Sequence, residues 1–151
     1  MNDTARWLAI AAISALASGA IADTLAQKHQ HKYSQGMADD AARALNNACD
    51  TSITAAYDWT EFDKQKPTDD CGNLGYQPGQ FARECMYGIQ QLCKLDDAKA
   101  AIKDKLKKVT IAFGGVGNAA VSMAGGGLIY AIDPKHNTSE QTCRKWILNH
   151  L

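Results

Sequence analysis

Three short apolar runs separated by glycine clusters occupy residues 107–133 (KKVTIAFGGVGNAAVSMAGGGLIYAID). Within the runs, large apolar residues alternate with smaller or polar ones, which is the period of a β-strand. The pairs Gly114-Gly115 and Gly125-Gly126 stand between the runs, where glycine favours the tight turns of hairpins. The stretch therefore predicts a three-stranded antiparallel meander. The large residues on one face of the three strands are Val109, Ile111, Phe113, Val121, Met123, Leu128, Tyr130 and Ile132.

The rest of the pattern adds one strand and several helices. Alternation over residues 53–59 predicts a fourth strand. Apolar residues recur at helical spacing over 34–48, 81–93 and 97–107, and again after Thr138, which with Gln141 fits a capping box. The polar residues 23–35 are interpreted as a solvated arm. The predicted fold is therefore α+β, with an antiparallel three- to four-stranded sheet, the C-terminal meander included, packed against helices.

The first 22 residues have the layout of a secretory signal peptide. Arg6 supplies the positive charge, residues 7–17 (WLAIAAISALA) the apolar segment, and Ala20-Ile21-Ala22 a small-x-small cleavage site. A short membrane anchor is the alternative, but the apolar run stops at Ser18-Gly19, short of the roughly 20 residues that span a bilayer. We therefore expect residues 1–22 to be removed and residues 23–151 to form a single α+β domain. That domain would be periplasmic or secreted, with no membrane span.

Length and charge narrow the classes of partner. A chain of 151 residues suits one domain of ordinary size. Its 16 basic and 16 acidic side chains give a formal net charge of zero. Nucleic-acid binding needs a positive excess on one face, so we predict no nucleic-acid partner.

Five cysteines follow the export signal, and in an oxidising compartment cysteines are usually paired. Cys85 and Cys93 lie about 12 Å apart along a continuous helix, so they cannot bond to each other. The predicted disulfide cysteines are Cys49, Cys71, Cys85 and Cys93, with their connectivity left open. Cys143 lies on the apolar stripe of the last helix, where a leftover thiol simply packs. No C-x-x-C pair occurs and the histidines lie away from the cysteines, so no metal site is predicted.

One motif resembles a dinucleotide-binding fingerprint. Residues 115–120 (GVGNAA) fit G-x-G-x-x-A after a strand-like run, and Asp133 follows where an acid would meet a ribose hydroxyl. The fingerprint requires a crossover helix, but only residues 118–124 separate it from the next glycine cluster. Hairpin turns explain the same glycines, so no cofactor is predicted.

The aromatic residues Tyr57, Trp59 and Phe62, with Tyr76, flank a breaker-rich stretch over residues 63–80. Such aromatics either cap a core or anchor a protein partner, and we list these four as candidate partner-binding residues. The common hydrolase motifs G-x-S-x-G, H-E-x-x-H and S-x-x-K are absent, so no catalytic residue is predicted.

The leading hypothesis is a non-enzymatic binding, inhibitor or immunity-type protein of the bacterial envelope with a protein partner there. One alternative is a small secreted hydrolase that pairs a free thiol with His136 or His150 and an acid such as Asp133. The other alternative is a structural component of the envelope.

Overall fold

The computed structural model describes residues 24–65 and 77–151. These residues form five helices and one four-stranded sheet that packs against helices, which confirms the α+β architecture. The helices are α1 (Leu25–Cys49), α2 (Trp59–Phe62), α3 (Pro78–Leu92), α4 (Asp96–Lys105) and α5 (Ser139–His150). The strands are β1 (Thr54–Tyr57), β2 (Lys108–Phe113), β3 (Ala120–Ala124) and β4 (Gly127–Ile132).

The sheet is mixed, with the strand order β1-β2-β4-β3. β1 runs parallel to β2 and β2 parallel to β4, whereas β3 is antiparallel to β4. The predicted antiparallel sheet is therefore wrong for β1–β2 and β2–β4. Gly125 and Gly126 do form a hairpin turn between β3 and β4, with φ angles of +56° and +80° that two-residue hairpins require. Gly114 and Gly115 form no hairpin, because the chain leaving β2 passes over the end of β4 and re-enters the sheet beyond it.

Gly114 lies at the point where this connection touches β4. Its N–H donates to the carbonyl of Ile132 at 2.9 Å. A Cβ at residue 114 would lie 2.3 Å from the carbonyl oxygen of Asn118 and 3.0 Å from that of Ile132. Only glycine fits so near two backbone segments, so Gly114 permits the crossing that makes β2 and β4 parallel.

The hydrophobic core lies on one face of the sheet. Val109 and Ile111 of β2 and Leu128 and Tyr130 of β4 are fully buried there. They form one cluster with residues of α1, α3 and α5, and α3 packs against both α1 and α5. The opposite face carries small residues around Ile129, which is 42% exposed.

Helix α1 is longer than the pattern predicts. Thr24 caps its start, because the Thr24 hydroxyl accepts from the Gln27 N–H while the Gln27 amide oxygen accepts from the Thr24 N–H. The interpretation of residues 23–35 as a solvated arm is therefore wrong from Thr24 onward. The capping box predicted at Thr138 is also wrong, because that side chain makes no capping bond.

Two disulfides tie the three long helices together. Cys49 at the end of α1 bonds Cys93 just after α3, and Cys85 of α3 bonds Cys143 of α5. The first pair is one that the sequence left open, whereas Cys143 forms a bond where simple packing was expected. Cys71 lies outside the described residues. Two such pairs agree with an oxidising compartment.

Among residues 24–65 and 77–151, no helix is both long and apolar enough to cross a bilayer. The predicted signal peptide, residues 1–22, lies outside this described part of the chain.

Candidate partner-binding surface

The predicted aromatic residues come together where β1 ends and α2 begins. The Trp59 ring stacks between Tyr57 at 4.5 Å and His31 of α1 at 4.0 Å between ring centroids. Phe62 contacts the edge of Tyr57 at 6.2 Å and packs against Trp59 at 5.3 Å. The four rings therefore form one cluster between α1, β1 and α2, while Tyr76 lies outside the described residues.

The members of this cluster differ in their access to solvent. Phe62 is 1% exposed, so it supports the other rings from the core. The Tyr57 hydroxyl donates toward the carbonyls of Ser34 and Pro78, at 3.2 and 3.1 Å. Burial, together with the negative charge of Asp39, raises the pKa of the Tyr57 hydroxyl well above its ordinary value. Tyr57 and Trp59 are both half-buried, so these two rings, and not Phe62, retain a surface for a partner.

His31 and Asp63 join α1 to the end of α2 beside the cluster. His31 Nε2 lies 2.6 Å from Asp63 Oδ1, and the Gln27 side-chain amide donates to the Asp63 carbonyl at 3.3 Å. Throughout the described residues, no serine, threonine or cysteine side chain is hydrogen-bonded to a histidine ring. The His31–Asp63 pair therefore joins α1 to the end of α2, and within residues 24–65 and 77–151 no nucleophile is hydrogen-bonded to its imidazole.

The histidines and thiol of the hydrolase alternative also have other contacts. Cys143 is bonded to Cys85, so its sulfur is not a free nucleophile. His150 Nδ1 lies 2.8 Å from the Trp146 carbonyl, and His136 Nδ1 lies 3.0 Å from Asp133 Oδ2. Within residues 24–65 and 77–151, no three His, Cys, Asp or Glu side chains are grouped closely enough to hold a metal ion.

Asp133 organises the glycine loop that resembles a nucleotide fingerprint. Its carboxylate accepts from the backbone N–H of Lys135 at 2.9 Å and of Gly117 at 3.0 Å, and it contacts His136. The Lys135 N–H, helped by Gly117 and His136 and opposed by burial, holds the pKa of Asp133 below its ordinary value. Both carboxylate oxygens therefore bind the protein itself, and the acid that the fingerprint would direct at a ribose closes the connection between β2 and β3.

Replacing Asp133 with asparagine should lower the melting temperature by several degrees at pH 7, because an amide has only one oxygen to accept these bonds. The folded pKa of Asp133 lies below the unfolded value of about 4. The stabilisation is therefore full above that value and is lost as pH falls through the folded pKa. The difference between wild type and Asp133→Asn, measured by circular dichroism, should shrink as the pH falls below about 4.

The matched control is Asp40→Asn, which removes an exposed ion pair with Arg43 and should change the melting temperature little. A difference between wild type and Asp133→Asn that is constant from pH 7 to about pH 2 would contradict the role of the Asp133 carboxylate.

A groove between α1 and α3 presents the most exposed tyrosines of the long helices. Tyr33 of α1 is 51% exposed and Tyr87 of α3 is 47% exposed. Two adjoining depressions of about 410 and 300 Å³ share Met37 and Asp40; residues of α1 alone line the first, and residues of α1 and α3 line the second. Gly36 lines the first, so no side chain fills it there. We call this surface, lined by Tyr33, Met37, Arg83 and Tyr87, the tyrosine groove.

The charges at the rim of the tyrosine groove are mainly basic. Asp40 is paired with Arg43 at 3.1 Å, which offsets its charge. Lys32 has no ion-pair partner among the described residues, and Arg83 has only Glu84, at 3.9 Å. The rim therefore offers cations to a partner beside an apolar floor.

Neither Tyr33 nor Tyr87 is among the binding residues that the sequence pattern indicates. Tyr33 falls in the segment interpreted as an arm, and Tyr87 lies beside the apolar stripe of α3. For Tyr87 the available signal is an aromatic residue on the polar side of a predicted helix, which is where partner-binding aromatics stand out.

A second groove of about 650 Å³ lies between α4 and the end of α5. Leu95 and Leu148, at 57% and 53% exposure, are its most exposed apolar residues, and Asp96 and Asp97 are at its mouth. It contains no aromatic or arginine side chain, the residue types that dominate protein-binding hot spots. We call this surface the comparison groove.

Comparison of the chain with protein-family models, with curated proteins and with solved structures finds no match.

Proposed function

We propose that this protein is an exported, non-enzymatic binding module of the bacterial envelope, of the inhibitor or immunity type, that docks another protein in the tyrosine groove. The observation that carries the proposal is the pair of half-exposed tyrosines, Tyr33 and Tyr87, which line two adjoining depressions that share Met37. Tyrosine, methionine and arginine are enriched at the centres of protein interfaces.

Export is supported by two independent features. The signal-peptide layout of residues 1–22 predicts passage through the secretion machinery. The disulfides Cys49–Cys93 and Cys85–Cys143 suit a compartment in which thiols are oxidised. A periplasmic or secreted domain meets its partner outside the cytoplasm, so we place the partner in the envelope.

The chemistry of the groove defines the partner's contact segment. An apolar side chain of the partner would enter between the two tyrosines and rest on Met37. Carboxylates on either side of that side chain would meet Lys32, which has no ion-pair partner among the described residues, and Arg83, which has only the long contact to Glu84 at 3.9 Å. The partner is therefore a protein with an exposed apolar residue flanked by acidic ones.

The test uses a photo-crosslinking amino acid, p-benzoylphenylalanine, placed singly at positions 33, 87, 59 and 148 in the native host. We expect an adduct of one common mass from positions 33 and 87 and none from Leu148, which lines the comparison groove. The adduct should disappear when Arg83→Glu is added, because a partner carboxylate would then be repelled. Adducts from Trp59 alone would overturn the groove and place the partner on the aromatic cluster.

The contribution of each tyrosine to binding is measured as a change in Kd for the purified protein that the crosslinking identifies. Tyr33→Ala and Tyr87→Ala should each weaken binding by at least about tenfold, because truncating a central aromatic anchor costs more than about 1.4 kcal/mol. The double variant Leu95→Ala/Leu148→Ala removes equally exposed apolar residues and should leave the Kd unchanged. If the leucine double variant lost as much affinity as the tyrosine variants, the tyrosine groove would not be the specific contact.

A further inference from the structure

The two edges of the sheet differ in whether other residues hydrogen-bond to their outward backbone groups. At the β1 edge, the Gln35 side-chain amide donates to the Ala55 carbonyl at 3.1 Å. Asn46 exchanges two further hydrogen bonds with the backbone of Ile53, next to the strand. Side chains of α1 thus cover the β1 edge. At the β3 edge, no described residue donates to or accepts from the outward backbone groups.

The hairpin geometry identifies those outward groups. In a two-residue hairpin the residues next to the turn, Ala124 and Gly127, form a hydrogen-bonded pair, and bonding alternates along the ladder. Ser122 therefore bonds to Ile129, whereas the N–H and C=O of Val121 and Met123 point away from β4.

β3 also lacks the devices that usually protect an edge. Residues 120–124 (AVSMA) contain no charge and no proline, and the ladder to β4 continues residue for residue with no bulge. The core-facing side chains Val121 and Met123 remain half-buried, although their neighbours Tyr130 and Leu128 on β4 are fully buried. The edge thus leaves both backbone polar groups and apolar surface incompletely covered.

The order of residues in β3 is nearly palindromic about Ser122, as Ala-Val-Ser-Met-Ala. An antiparallel partner with the same sequence, related by a two-fold axis through Ser122, would place Val121 opposite Met123 and Ala120 opposite Ala124. The outward N–H and C=O groups at 121 and 123 would then pair with each other across the axis. The next residues along, Ala119 and Gly125, are small, so no large side chain obstructs this approach.

From this self-complementarity we propose that two copies of the chain associate through antiparallel β3–β3 pairing centred on Ser122, which joins the two four-stranded sheets into one. Val121 of each copy covers Met123 of the other and extends the core face across the axis. Each copy contributes one five-residue strand, which is typical of the small, weak interfaces, so we expect association at micromolar concentrations. The tyrosine groove lies on α1 and α3, so the proposal does not depend on the proposed function.

The test measures the oligomeric state of the mature protein by sedimentation velocity from low to high micromolar concentration. Wild type should pass from monomer to dimer, and Ser122→Lys should stay monomeric because the two lysines would face each other directly across the axis. Ser122 is exposed on the open face, so this change leaves the core intact. The matched control Ser122→Thr keeps an uncharged side chain and should dimerise like wild type.

A charge-exchange experiment separates pairing from any loss of folding. Ser122→Glu should be monomeric alone, and an equimolar mixture with Ser122→Lys should form a mixed dimer because opposite charges then meet. Amide exchange at Val121 and Met123 should slow on concentrating wild type and stay fast in Ser122→Lys. A wild type that stays monomeric at every concentration, or a Ser122→Lys variant that dimerises as wild type does, would overturn the proposal.

Discussion

Removing the disulfide between α3 and α5 with the double substitution Cys85→Ala/Cys143→Ala should lower the free energy of unfolding by about 4 kcal/mol. The bond closes a loop whose ends are 58 residues apart, so its loss restores much conformational freedom to the unfolded chain. Both cysteines are also fully buried, and alanine leaves a gap where the sulfurs packed. The melting temperature should fall by about 10–20 °C.

Denaturant unfolding followed by circular dichroism measures this loss. Non-reducing peptide mapping first establishes the pairs Cys49–Cys93 and Cys85–Cys143, which leave Cys71 as the remaining cysteine of the five. The matched control is Cys71→Ala, whose stability should stay near that of wild type because it breaks neither bond. A double variant as stable as wild type, or a map with other pairs, would contradict this disulfide framework.

Gly88→Ala should destabilise the protein by about 3 kcal/mol, because no space exists for a methyl group between α3 and α5. A Cβ at residue 88 would lie 2.2 Å from the carbonyl oxygen of Glu140 and 2.9 Å from its carbonyl carbon. Those atoms are backbone in the first turn of α5, so the helix itself has to move. Cys85 lies one turn away on the same face of α3 and bonds to α5, which limits that movement.

The control for this prediction is Gly36→Ala in α1. A Cβ at residue 36 has open space around it, so the substitution should stabilise the helix by about 0.5–1 kcal/mol through its propensity alone. The free energy of unfolding, measured by urea unfolding with an unchanged dependence on urea concentration, should fall for Gly88→Ala and rise for Gly36→Ala. That result would confirm that close packing, and not the loss of a glycine as such, decides the change in stability. A neutral Gly88→Ala variant would contradict the close approach of α3 and α5.

The sequence predicted best the elements whose evidence is local. The helical spacing of apolar residues identifies α3 and α4 within a few residues of their observed bounds. β1 was predicted from a single alternating run, and the Gly125-Gly126 turn from a glycine pair. In each case the signal is the spacing of apolar residues or the conformational freedom of glycine, and both depend on only a few neighbouring residues. These elements can therefore be predicted without knowing any distant contact.

The candidate binding residues were predicted less well. Tyr57, Trp59 and Phe62 do form one cluster, but Phe62 is buried and the Tyr57 hydroxyl bonds to backbone carbonyls, which sequence alone does not reveal. Tyr33 and Tyr87 are 54 residues apart in the sequence, and both line the tyrosine groove only because α1 packs beside α3. Partner-binding by either set is the proposal that the crosslinking experiment decides.

The sequence by itself determined the strands, most of the helices and the neutral charge, because periodicity and composition are properties of neighbouring residues. The tertiary structure alone decided the parallel pairing of β2 with β4, which depends on Gly114 fitting against the end of β4. It also decided that Cys143 bonds Cys85, since two helices must bring the sulfurs together. Strand order and cysteine pairing are long-range choices among locally equivalent alternatives, and only packing of the whole core distinguishes them.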